Sequence, residues 1–326
     1  MAEPIPVAVV GVGYLGRFHA QKYRSLNQCK LVGVVDTDPA RARLVAGELG
    51  VECFTDLDSV LPRVAALSVA VPTPDHRTVV RRCLNEGKAV LVEKPLAATT
   101  AEAAELADLA QRRGLILQVG HLERFNPAFR AVASSIENPQ FIESVRIASF
   151  KERGSDVDVV MDLMSHDLDL VLSMVRAPLE NLHAVGISVM TTHTDLANAR
   201  LIFATGCVAN LTASRISTKV ERKLRIFQAD GYFSLDLAEP SARIFRRVAP
   251  GGDIPKRDSG AMSAGGLPVW EERLTLGSGD ALLVEIEAFV EAVKTGSAPL
   301  VGGREGLLAI ELAERIIADI SRNRLP

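Results

Sequence analysis

Apolar runs alternate with helix-like segments along the first third of the chain. Five runs between Ile5 and Val119 are rich in Val, Ile and Leu, and they read PVAVV, LVGVVD, ALSVAVP, KAVLVE and LILQV. Strands that alternate with helices assemble into parallel sheets. Because these runs are continuously apolar, helices are expected to cover both faces of the sheet. Residues 1–121 are therefore predicted to form a doubly wound α/β domain.

The pattern changes after about residue 121. One long helical stretch over 159–175 is followed by strand after strand from about Leu182 to Leu237. Turn pairs such as Thr205-Gly206 and Asp230-Gly231 supply the positive φ that tight hairpins need. Residues 122–326 are therefore predicted to form a second, α+β domain with a large, mostly antiparallel, open-faced sheet. An uncovered sheet face would pair with another copy of the chain, so we expect a homo-oligomer, either a dimer or a tetramer.

The end of the chain combines one loop-like segment with two helical ones. Residues 249–279 are dense in Gly, Pro and Ser and are predicted to form a mobile loop, a candidate lid over the site. Residues 280–294 and 303–320 carry apolar positions at helical spacing and predict two helices.

The composition narrows the classes of protein and partner. The chain has 48% hydrophobic and 24% charged residues, which is typical of a globular protein. Lys and Arg number 37 against 40 Asp and Glu, so no basic field exists for nucleic acid or anionic lipid. The four cysteines are far apart and form neither a CxxC motif nor a Cys/His cluster, which argues against disulfides and zinc. We therefore expect no metal. The first apolar run is too short for a signal peptide or a membrane span, so we expect a cytoplasmic protein.

A glycine-rich turn follows the first predicted strand. The segment VAVVGVGYLGRFHA places Gly11, Gly13 and Gly16 between a strand and a helix, which is the context that a dinucleotide-binding fingerprint requires. The glycines allow a tight turn, close approach of a pyrophosphate and packing of helix on strand, and the helix N-terminus faces the phosphates. Tyr14 and Leu15 open this helix and are counted with the glycines as cofactor-binding residues.

An acidic residue ends the second predicted strand. Asp36 lies twenty positions after Gly16, where a carboxylate would accept hydrogen bonds from both hydroxyls of the adenosine ribose. This favours NAD over NADP, whose 2′-phosphate would meet a like charge. Arg41 and Arg43 are close enough in sequence to keep NADP open as the less favoured cofactor.

Two polar segments follow predicted strands at the sheet edge where ligands of open α/β sheets bind. The first, VPTPDH, contributes Thr73, Pro74 and His76 as candidate cofactor contacts, and the second, EKP, contributes Glu93 and Lys94. A lysine beside a nicotinamide can hydrogen-bond a substrate hydroxyl, and partial burial lowers the pKa of an ammonium group. The alternative is that Lys94 is an ordinary solvated surface lysine.

The predicted helix over 159–175 carries a third candidate pair. Asp162 and His166 are four residues apart, so the carboxylate can orient the imidazole on one face of a helix. Imidazole has an ordinary pKa of about 6.5, which suits it to take a proton from an alcohol as hydride leaves. The alternative is that both belong to a solvent-facing polar stripe that also includes Ser165, Asp169 and Ser173.

The motifs GVGYLGRFHA, VVDTDPARA, VPTPDH, VEKPLA and MDLMSHDLDL, taken in this order, resemble those of the Gfo/Idh/MocA family of oxidoreductases. The resemblance covers most of the chain. It implies a Rossmann domain at 1–121 and a substrate-binding and oligomerisation domain at 122–326. It also implies catalytic roles for Lys94, Asp162 and His166, a cis proline after Lys94, and hydride transfer between a nicotinamide and a sugar or cyclitol carbon.

The segment QVGHLERFNPAFR is similar to one in the branch of UDP-N-acetylglucosamine 3-dehydrogenases. This resemblance implies a nucleotide sugar oxidised at its C3 hydroxyl, with Arg124 and Asn126 near substrate or cofactor. Arg215 and Lys219 are further candidates, because strand-borne cations in a cleft attract a diphosphate. Their alternative is a positively charged sheet face.

Two other functions stay open at this point. One is an NADP-dependent reductase of a different small substrate, such as an imine, a pyrrole or an aldehyde. The other is a non-catalytic protein that senses NAD(H), since a fold alone does not imply catalysis.

Overall fold

The computed structural model describes residues 3–150, 154, 157–247, 261–264, 267–277 and 279–323. The chain divides into two compact units. Unit 1 comprises Met1–Leu122 and Asp280–Glu311, and unit 2 comprises Glu123–Gly279 and Leu312–Pro326. This division differs from the predicted boundary, because residues 280–311 belong with the first unit and not with the second. The apolar spacing of those residues predicts a buried helix face but does not say which sheet the face covers.

Unit 1 contains a six-stranded sheet in which every neighbouring pair is parallel. Its order β3-β2-β1-β4-β5-β6 is that of a Rossmann fold, so the doubly wound prediction is confirmed. The three-residue strand β3 has no counterpart among the five predicted runs. The strands are β1 (Ile5–Val10), β2 (Cys29–Val35), β3 (Glu52–Phe54), β4 (Ala66–Val69), β5 (Ala89–Glu93) and β6 (Leu117–Gly120).

Four helices connect these strands, and local sequence signals explain their ends. The Asp38 side chain accepts the Ala40 N–H at 2.9 Å at the start of the second helix, and Thr99 accepts the Glu102 N–H at the start of the fourth. Gly50 and Gly114 end these two helices in the left-handed conformation. The helices are α1 (Tyr14–Ser25), α2 (Pro39–Leu49), α3 (Thr73–Asn85) and α4 (Thr100–Arg113).

Unit 2 contains a nine-stranded sheet in the order β14-β15-β13-β12-β11-β7-β10-β9-β8. All neighbouring pairs are antiparallel except β7 and β10, so the mostly antiparallel prediction is confirmed. The strands are β7 (Phe141–Ile147), β8 (Leu179–Ile187), β9 (Leu196–Phe203), β10 (Val208–Ser214), β11 (Glu221–Phe227), β12 (Gly231–Asp236), β13 (Ser241–Arg247), β14 (Ala261–Ala264) and β15 (Leu267–Thr275).

Strands β14 and β15 correct the prediction of a loop over 249–279. The two strands pair in antiparallel register from Ala261 opposite Trp270 to Ala264 opposite Leu267. The aromatic and β-branched residues of β15 favour a strand, a signal that the glycine and proline content of the segment obscures. Residues 249–260, 265, 266 and 278 of the predicted lid lie outside the described residues.

The predicted helix over 159–175 is confirmed with a change in its first turn. A π-helical turn, Val160–Met164, leads directly into α6 (Ser165–Met174), and α5 (Pro127–Val132) precedes them in the chain. Buried side chains of the π turn and α6, among them Val160, Met164 and Leu168, pack in the core of unit 2 against the sheet. A short 3₁₀ turn, Leu122–Phe125, spans the point in the chain where unit 1 gives way to unit 2. Ala133–Ser135 is a 3₁₀ turn of unit 2, and Leu61–Arg63 is one of unit 1.

Two helices end the chain, as predicted: α7 (Ala281–Thr295) and α8 (Gly303–Arg322). The apolar face of α7, including Ile286 and Phe289, lies in the core of unit 1 with Val7 and Leu31. The later part of α8 places Ile316 in the core of unit 2. Among the described residues, no helix is long and apolar enough to span a membrane.

Candidate active site

The glycine turn between β1 and α1 has the geometry that a dinucleotide requires. Gly11 has a φ of +80°, and a Cβ there would lie 2.8 Å from the Ala70 carbonyl carbon and oxygen. A Cβ on Gly16 would lie 1.8 Å from the Gly11 carbonyl oxygen, so no side chain fits there. A Cβ on Gly13 would instead meet nothing within 4 Å. Gly11 and Gly16 are thus fixed by the protein itself, whereas Gly13 borders open space of the kind that a pyrophosphate would enter.

Helix α1 begins at Tyr14, directly after this turn. Gly13 at the N-cap offers no side chain to accept the first N–H groups, and the first turn contains no acidic residue. The N–H groups at a helix N-terminus and the helix dipole attract phosphate oxygens. The backbone at Tyr14 and Leu15 therefore fits a phosphate group, while the Tyr14 ring is 70% exposed.

The Asp36 carboxylate is fixed against the glycine turn. It accepts the Val12 N–H at 3.0 Å through Oδ2 and the Asp38 N–H at 2.9 Å through Oδ1. The Arg41 guanidinium lies 3.3 Å from both oxygens. Asp36 is only 5% exposed, so the carboxylate has a single defined position at the end of β2. The Asp36 carboxylate therefore fits an adenosine ribose, whose free hydroxyls would donate hydrogen bonds to it. Arg41 is already paired with this carboxylate.

The segment after β4 leads into α3, which begins with Thr73 and Pro74. His76 is 1% exposed, and its ring lies between two backbone carbonyls. Nδ1 is 2.8 Å from the Pro95 oxygen, and Nε2 is 3.0 Å from the Val71 oxygen. Burial lowers the pKa of His76 below its ordinary value, although both carbonyls oppose this shift. His76 therefore links the two predicted cofactor segments from inside the protein.

The EKP segment follows β5, and its Lys94–Pro95 peptide bond is cis, as the family resemblance implies. Lys94 is partly buried and so is not a fully solvated surface lysine. The Glu93 carboxylate receives a hydrogen bond from His19 Nε2 at 2.8 Å. Burial alone would raise the pKa of Glu93, but the hydrogen bond from His19 and the charge of Lys94 lower it below its ordinary value.

Sequence reasoning misses the histidine in this contact, because His19 looks isolated along the chain. Its ring is 1% exposed, and Nδ1 lies 3.1 Å from the Ser68 hydroxyl oxygen. That hydroxyl lies 2.9 Å from the Tyr23 hydroxyl. The available signal is helical spacing: His19 comes three positions after Gly16 and therefore lies on the same side of α1.

In unit 2, Asp162 and His166 lie on consecutive turns at the junction of the π turn and α6. Both side chains are partly buried. The alternative of a solvent-facing stripe is wrong for Ser165 and Asp169, because these residues are 4% and 2% exposed. Isolated π turns occur frequently at functional sites, because the extra residue re-aims the side chains that follow.

A buried ionic cluster lies behind α6. The Arg146 guanidinium donates to Asp167 at 2.8 and 2.9 Å and to Glu123 at 2.8 Å, and all three side chains are 7% exposed or less. Arg124 lies 3.6 Å from Asp169 in the same region. Asn126 is 7% exposed, and its amide donates to Glu123 and to the Leu237 carbonyl and accepts the Ala128 N–H. The hydrogen-bonding groups of Asn126 are thus used inside the protein.

The two cations predicted to meet a diphosphate have different surroundings. Arg215 is 4% exposed, and its guanidinium donates to the carbonyls of Gly154, Val157 and Thr194. These contacts fix the segment that leads into the π turn, which is a structural role. The Lys219 side chain is exposed, and the Lys219 backbone N–H donates to the Ser217 hydroxyl at 3.0 Å.

Comparison with known proteins shows the family to which the chain belongs. A family model described as an oxidoreductase family with an NAD-binding Rossmann fold matches residues 5–121. A UDP-N-acetylglucosamine 3-dehydrogenase of Acidithiobacillus ferrooxidans is 38% identical over 315 residues, which are 95% of this chain and 96% of that protein. The chain belongs to the Gfo/Idh/MocA family of oxidoreductases. A scyllo-inositol 2-dehydrogenase (NAD(+)) of Bacillus subtilis is 25% identical over 96% of this chain and 93% of its own length.

The family likeness extends to the whole fold. A solved structure of the Acidithiobacillus ferrooxidans UDP-N-acetylglucosamine 3-dehydrogenase superposes with a TM-score of 0.88 and 36% identity over 99% of both chains. Unit 1 of this family member is accordingly an NAD-binding Rossmann unit. Within the ranges that the structure describes, no group of three or more His, Cys, Asp or Glu side chains could hold a metal ion.

Proposed function

We propose that the protein is an NAD-dependent dehydrogenase that oxidises a nucleotide sugar resembling UDP-N-acetylglucosamine at its C3 hydroxyl. The observation that carries this proposal is the 38% identity over 95% of the chain to an enzyme with that name. The glycine turn and the fixed Asp36 carboxylate support NAD as the cofactor. In this proposal unit 1 holds the dinucleotide, and unit 2 binds the sugar.

The cofactor would be held by the backbone at Gly11, Gly13 and Gly16 and by the Asp36 carboxylate. When bound, its nicotinamide ring supplies the acceptor for the hydride that leaves the sugar carbon. Thr73 and Pro74, at the start of α3, and Glu93 lie at strand ends on the ligand-binding edge of the sheet. His76 acts in this proposal by linking their segments and not by direct contact, because both ring nitrogens face backbone carbonyls.

The oxidised C–OH group must lose a proton as well as a hydride. We assign the proton to His166 or Lys94, each of which can be a general base near neutral pH when partly buried. Asp162, one turn before His166, orients that imidazole in this assignment. The alcohol oxygen then becomes a carbonyl oxygen, and the proton returns by the same route in the reverse reaction.

For the nucleotide diphosphate we retain Arg124 and Lys219 as candidate contacts. Lys219 is exposed, and Arg124 extends from the 3₁₀ turn with 11% of its side chain exposed. We assign Arg215 and Asn126 to positioning, because backbone carbonyls and neighbouring side chains already occupy their polar groups.

We also propose that the protein is a homo-oligomer. Four aromatic rings form a row across β7, β11, β12 and β13, with centroid separations of 5.8, 4.5 and 5.3 Å. Phe227 in this row is 38% exposed, whereas Ile226, the preceding residue on the same strand, is fully buried in the core. A row of aromatic rings on the sheet face opposite the core suits association with a second copy. The rings are those of Phe141, Phe227, Tyr232 and Phe245.

A substrate screen tests the function. NADH formation is followed with UDP-N-acetylglucosamine, UDP-glucose, free N-acetylglucosamine and inositols, using NAD or NADP. We expect turnover with UDP-N-acetylglucosamine and NAD and little with the free sugar. Turnover with inositol alone would contradict the nucleotide-sugar assignment, and tight NAD binding without turnover of any substrate would favour the sensing function.

The cytoplasmic location stays a prediction. It rests on the short first apolar run and on the wide spacing of the cysteines, of which Cys29, Cys53, Cys83 and Cys207 are all free thiols.

A further inference from the structure

A row of four polar side chains runs through the interior of unit 1 and ends beside Lys94. Tyr23 and Ser68 are fully buried and His19 is 1% exposed, whereas the Glu93 side chain retains 15% of its exposure. The successive heavy-atom separations are 2.9, 3.1 and 2.8 Å. Each separation lies within the range of a hydrogen bond.

The chemistry of the groups fixes the direction of all three bonds. A carboxylate only accepts, so Nε2 of His19 carries a hydrogen and donates to Glu93. In the neutral ring Nδ1 then accepts from the Ser68 hydroxyl, and the Ser68 oxygen accepts from the Tyr23 hydroxyl. In this arrangement each of the three donors in the row has its own acceptor. The opposite direction would require an imidazolium and a further acceptor for Tyr23, so the neutral Nε2–H tautomer fits the row best.

The row joins three elements that carry the candidate cofactor site. His19 belongs to α1, the helix that opens with the glycine turn, while Ser68 belongs to β4 and Glu93 ends β5. Gly120 on β6 provides space for the acid, because a Cβ there would lie 3.2 Å from Glu93 Oε2 and 3.2 Å from its Cα. The carboxylate is therefore confined between a buried imidazole and a neighbouring strand.

We propose that His19 is a positioning residue for the reaction, which holds the Glu93 carboxylate in place and charged next to Lys94. The effect on turnover rests on the proposed function, because it requires Lys94 to act in catalysis. His19 does not touch the reacting atoms in this account. It acts through Glu93 on the segment that carries the lysine.

Several other ionisable groups interact electrostatically with members of the row. Glu93 interacts electrostatically with Lys94 and His76 as well as with His19, and His76 in turn interacts with Asp75. Tyr23 interacts electrostatically with Cys29 and Glu285. Burial raises the pKa of Tyr23 far above its ordinary value and raises that of Cys29 to about 11, so both stay neutral near physiological pH.

Nuclear magnetic resonance of labelled imidazole nitrogens tests the tautomer without any substrate. The signal of His19 is identified by its loss in His19→Gln. We expect Nε2 to be protonated and Nδ1 to be unprotonated through the neutral range, in wild type and in Ser68→Ala. A ring protonated at Nδ1 alone would overturn the proposal, because its Nε2 could not donate to Glu93.

Nuclear magnetic resonance of labelled carboxyl carbons measures the Glu93 carboxyl directly. We expect its pKa to rise in His19→Leu, because burial then acts without the opposing imidazole, and to stay near the wild-type position in His19→Gln, whose amide can still donate. An unchanged Glu93 pKa in His19→Leu would overturn the proposal.

Kinetics then separate positioning from mere packing. We expect His19→Leu to lower kcat on the order of tenfold and to move the acidic limb of the pH profile to higher pH, while His19→Gln recovers most activity. In a Glu93→Gln background, His19→Leu should add little further loss. Fully additive losses would mean that His19 does not act through Glu93.

The exposed histidine His183 supplies a matched control, since its side chain is 70% exposed and belongs to unit 2. His183→Gln should leave kcat and the pH profile unchanged. If wild type fails to oxidise UDP-N-acetylglucosamine, the proposed function fails, while the two resonance measurements still decide the role of His19.

Discussion

Each unit buries a polar network next to a candidate catalytic side chain, and the two networks differ in chemistry. In unit 1 a row of hydrogen bonds from Tyr23 to Glu93 ends beside Lys94. In unit 2 the Arg146 guanidinium lies between Glu123 and Asp167, the residue that follows His166. One network depends on which ring nitrogen carries a hydrogen. The other depends on opposite charges that are present throughout the neutral range.

This difference has consequences for stability and for response to pH. Burial alone would lower the pKa of Arg146, but Asp167 and Glu123 raise it above its ordinary value, so the guanidinium stays charged. A buried ion pair that loses one partner leaves an uncompensated charge, which costs far more than a lost neutral hydrogen bond. The unit 2 network should therefore dominate stability, whereas His76 and Glu93 in unit 1 should dominate the pH dependence.

The largest expected effect is the removal of Arg146. Arg146→Met leaves Asp167 buried without its cation and Glu123 with only Arg222 at 3.6 Å, and we expect a loss of about 3–5 kcal/mol in the free energy of unfolding. Chemical denaturation measures it. The matched control is Arg225→Met, whose pair with Glu143 is 50% and 38% exposed and should contribute about 0–1 kcal/mol. Equal losses in the two variants would contradict the distinction between buried and exposed pairs.

The next effect concerns the two candidate bases, one beside each network. We expect Lys94→Ala and His166→Ala each to lower kcat on the order of 10²-fold or more, because either change removes a proton acceptor from the site. Steady-state kinetics with the nucleotide sugar measures this loss. Isothermal titration of NAD should give nearly the wild-type affinity for His166→Ala. Full activity in that variant would remove His166 from the mechanism.

A smaller effect is expected on cofactor choice. Asp36→Ser removes the carboxylate that would bind the ribose hydroxyls, and it releases Arg41 from its 3.3 Å contact. We expect the ratio of kcat/KM for NAD over NADP to fall on the order of tenfold or more. The double change Asp36→Ser with Arg41→Ala should lower NADP use again. An unchanged ratio in the single variant would contradict the assigned role of Asp36.

The smallest effect concerns acid sensitivity in unit 1. Burial lowers the pKa of His76 from its ordinary 6.5, so the unfolded chain binds the proton more readily than the folded one. Stability from the neutral ring is then fully present above pH 6.5 and is lost as the pH falls below that value. Glu93, whose pKa is also lowered, adds a similar loss below its ordinary 4.5. We expect His76→Asn to flatten the fall in melting temperature below pH 6.5, whereas an unchanged pH slope would contradict this assignment.

Sequence alone predicts the parts of the site whose partners lie within one strand–helix–strand segment. The glycine turn and Asp36 are of this kind, because steric and electrostatic needs of a pyrophosphate and ribose appear at fixed spacing. The cis bond after Lys94 and the nucleotide-sugar relative follow from resemblance and are confirmed. Apolar runs also predict most of both sheets, but they miss the short strand β3 in unit 1 and strands β7, β13, β14 and β15 in unit 2.

What sequence misses depends on contacts across long separations. His19 contacts Glu93, which is 74 positions away in the sequence, and Arg146 contacts Asp167, which is 21 positions away. No local sequence pattern predicts either contact. Arg215 looks like a ligand-binding cation because its charge is visible in sequence, whereas the three carbonyls that bind it are not. Helix α7 shows an apolar face without showing that this face packs in unit 1.

Isotope transfer tests the central claim most directly. The protein is incubated with NAD and UDP-N-acetylglucosamine carrying deuterium on C3, and the cofactor is analysed by mass spectrometry. The account predicts that every reduced cofactor formed carries one deuterium and that the sugar product has lost it. Reduced cofactor without deuterium, or none formed with this sugar while a different substrate class is turned over, would contradict the account.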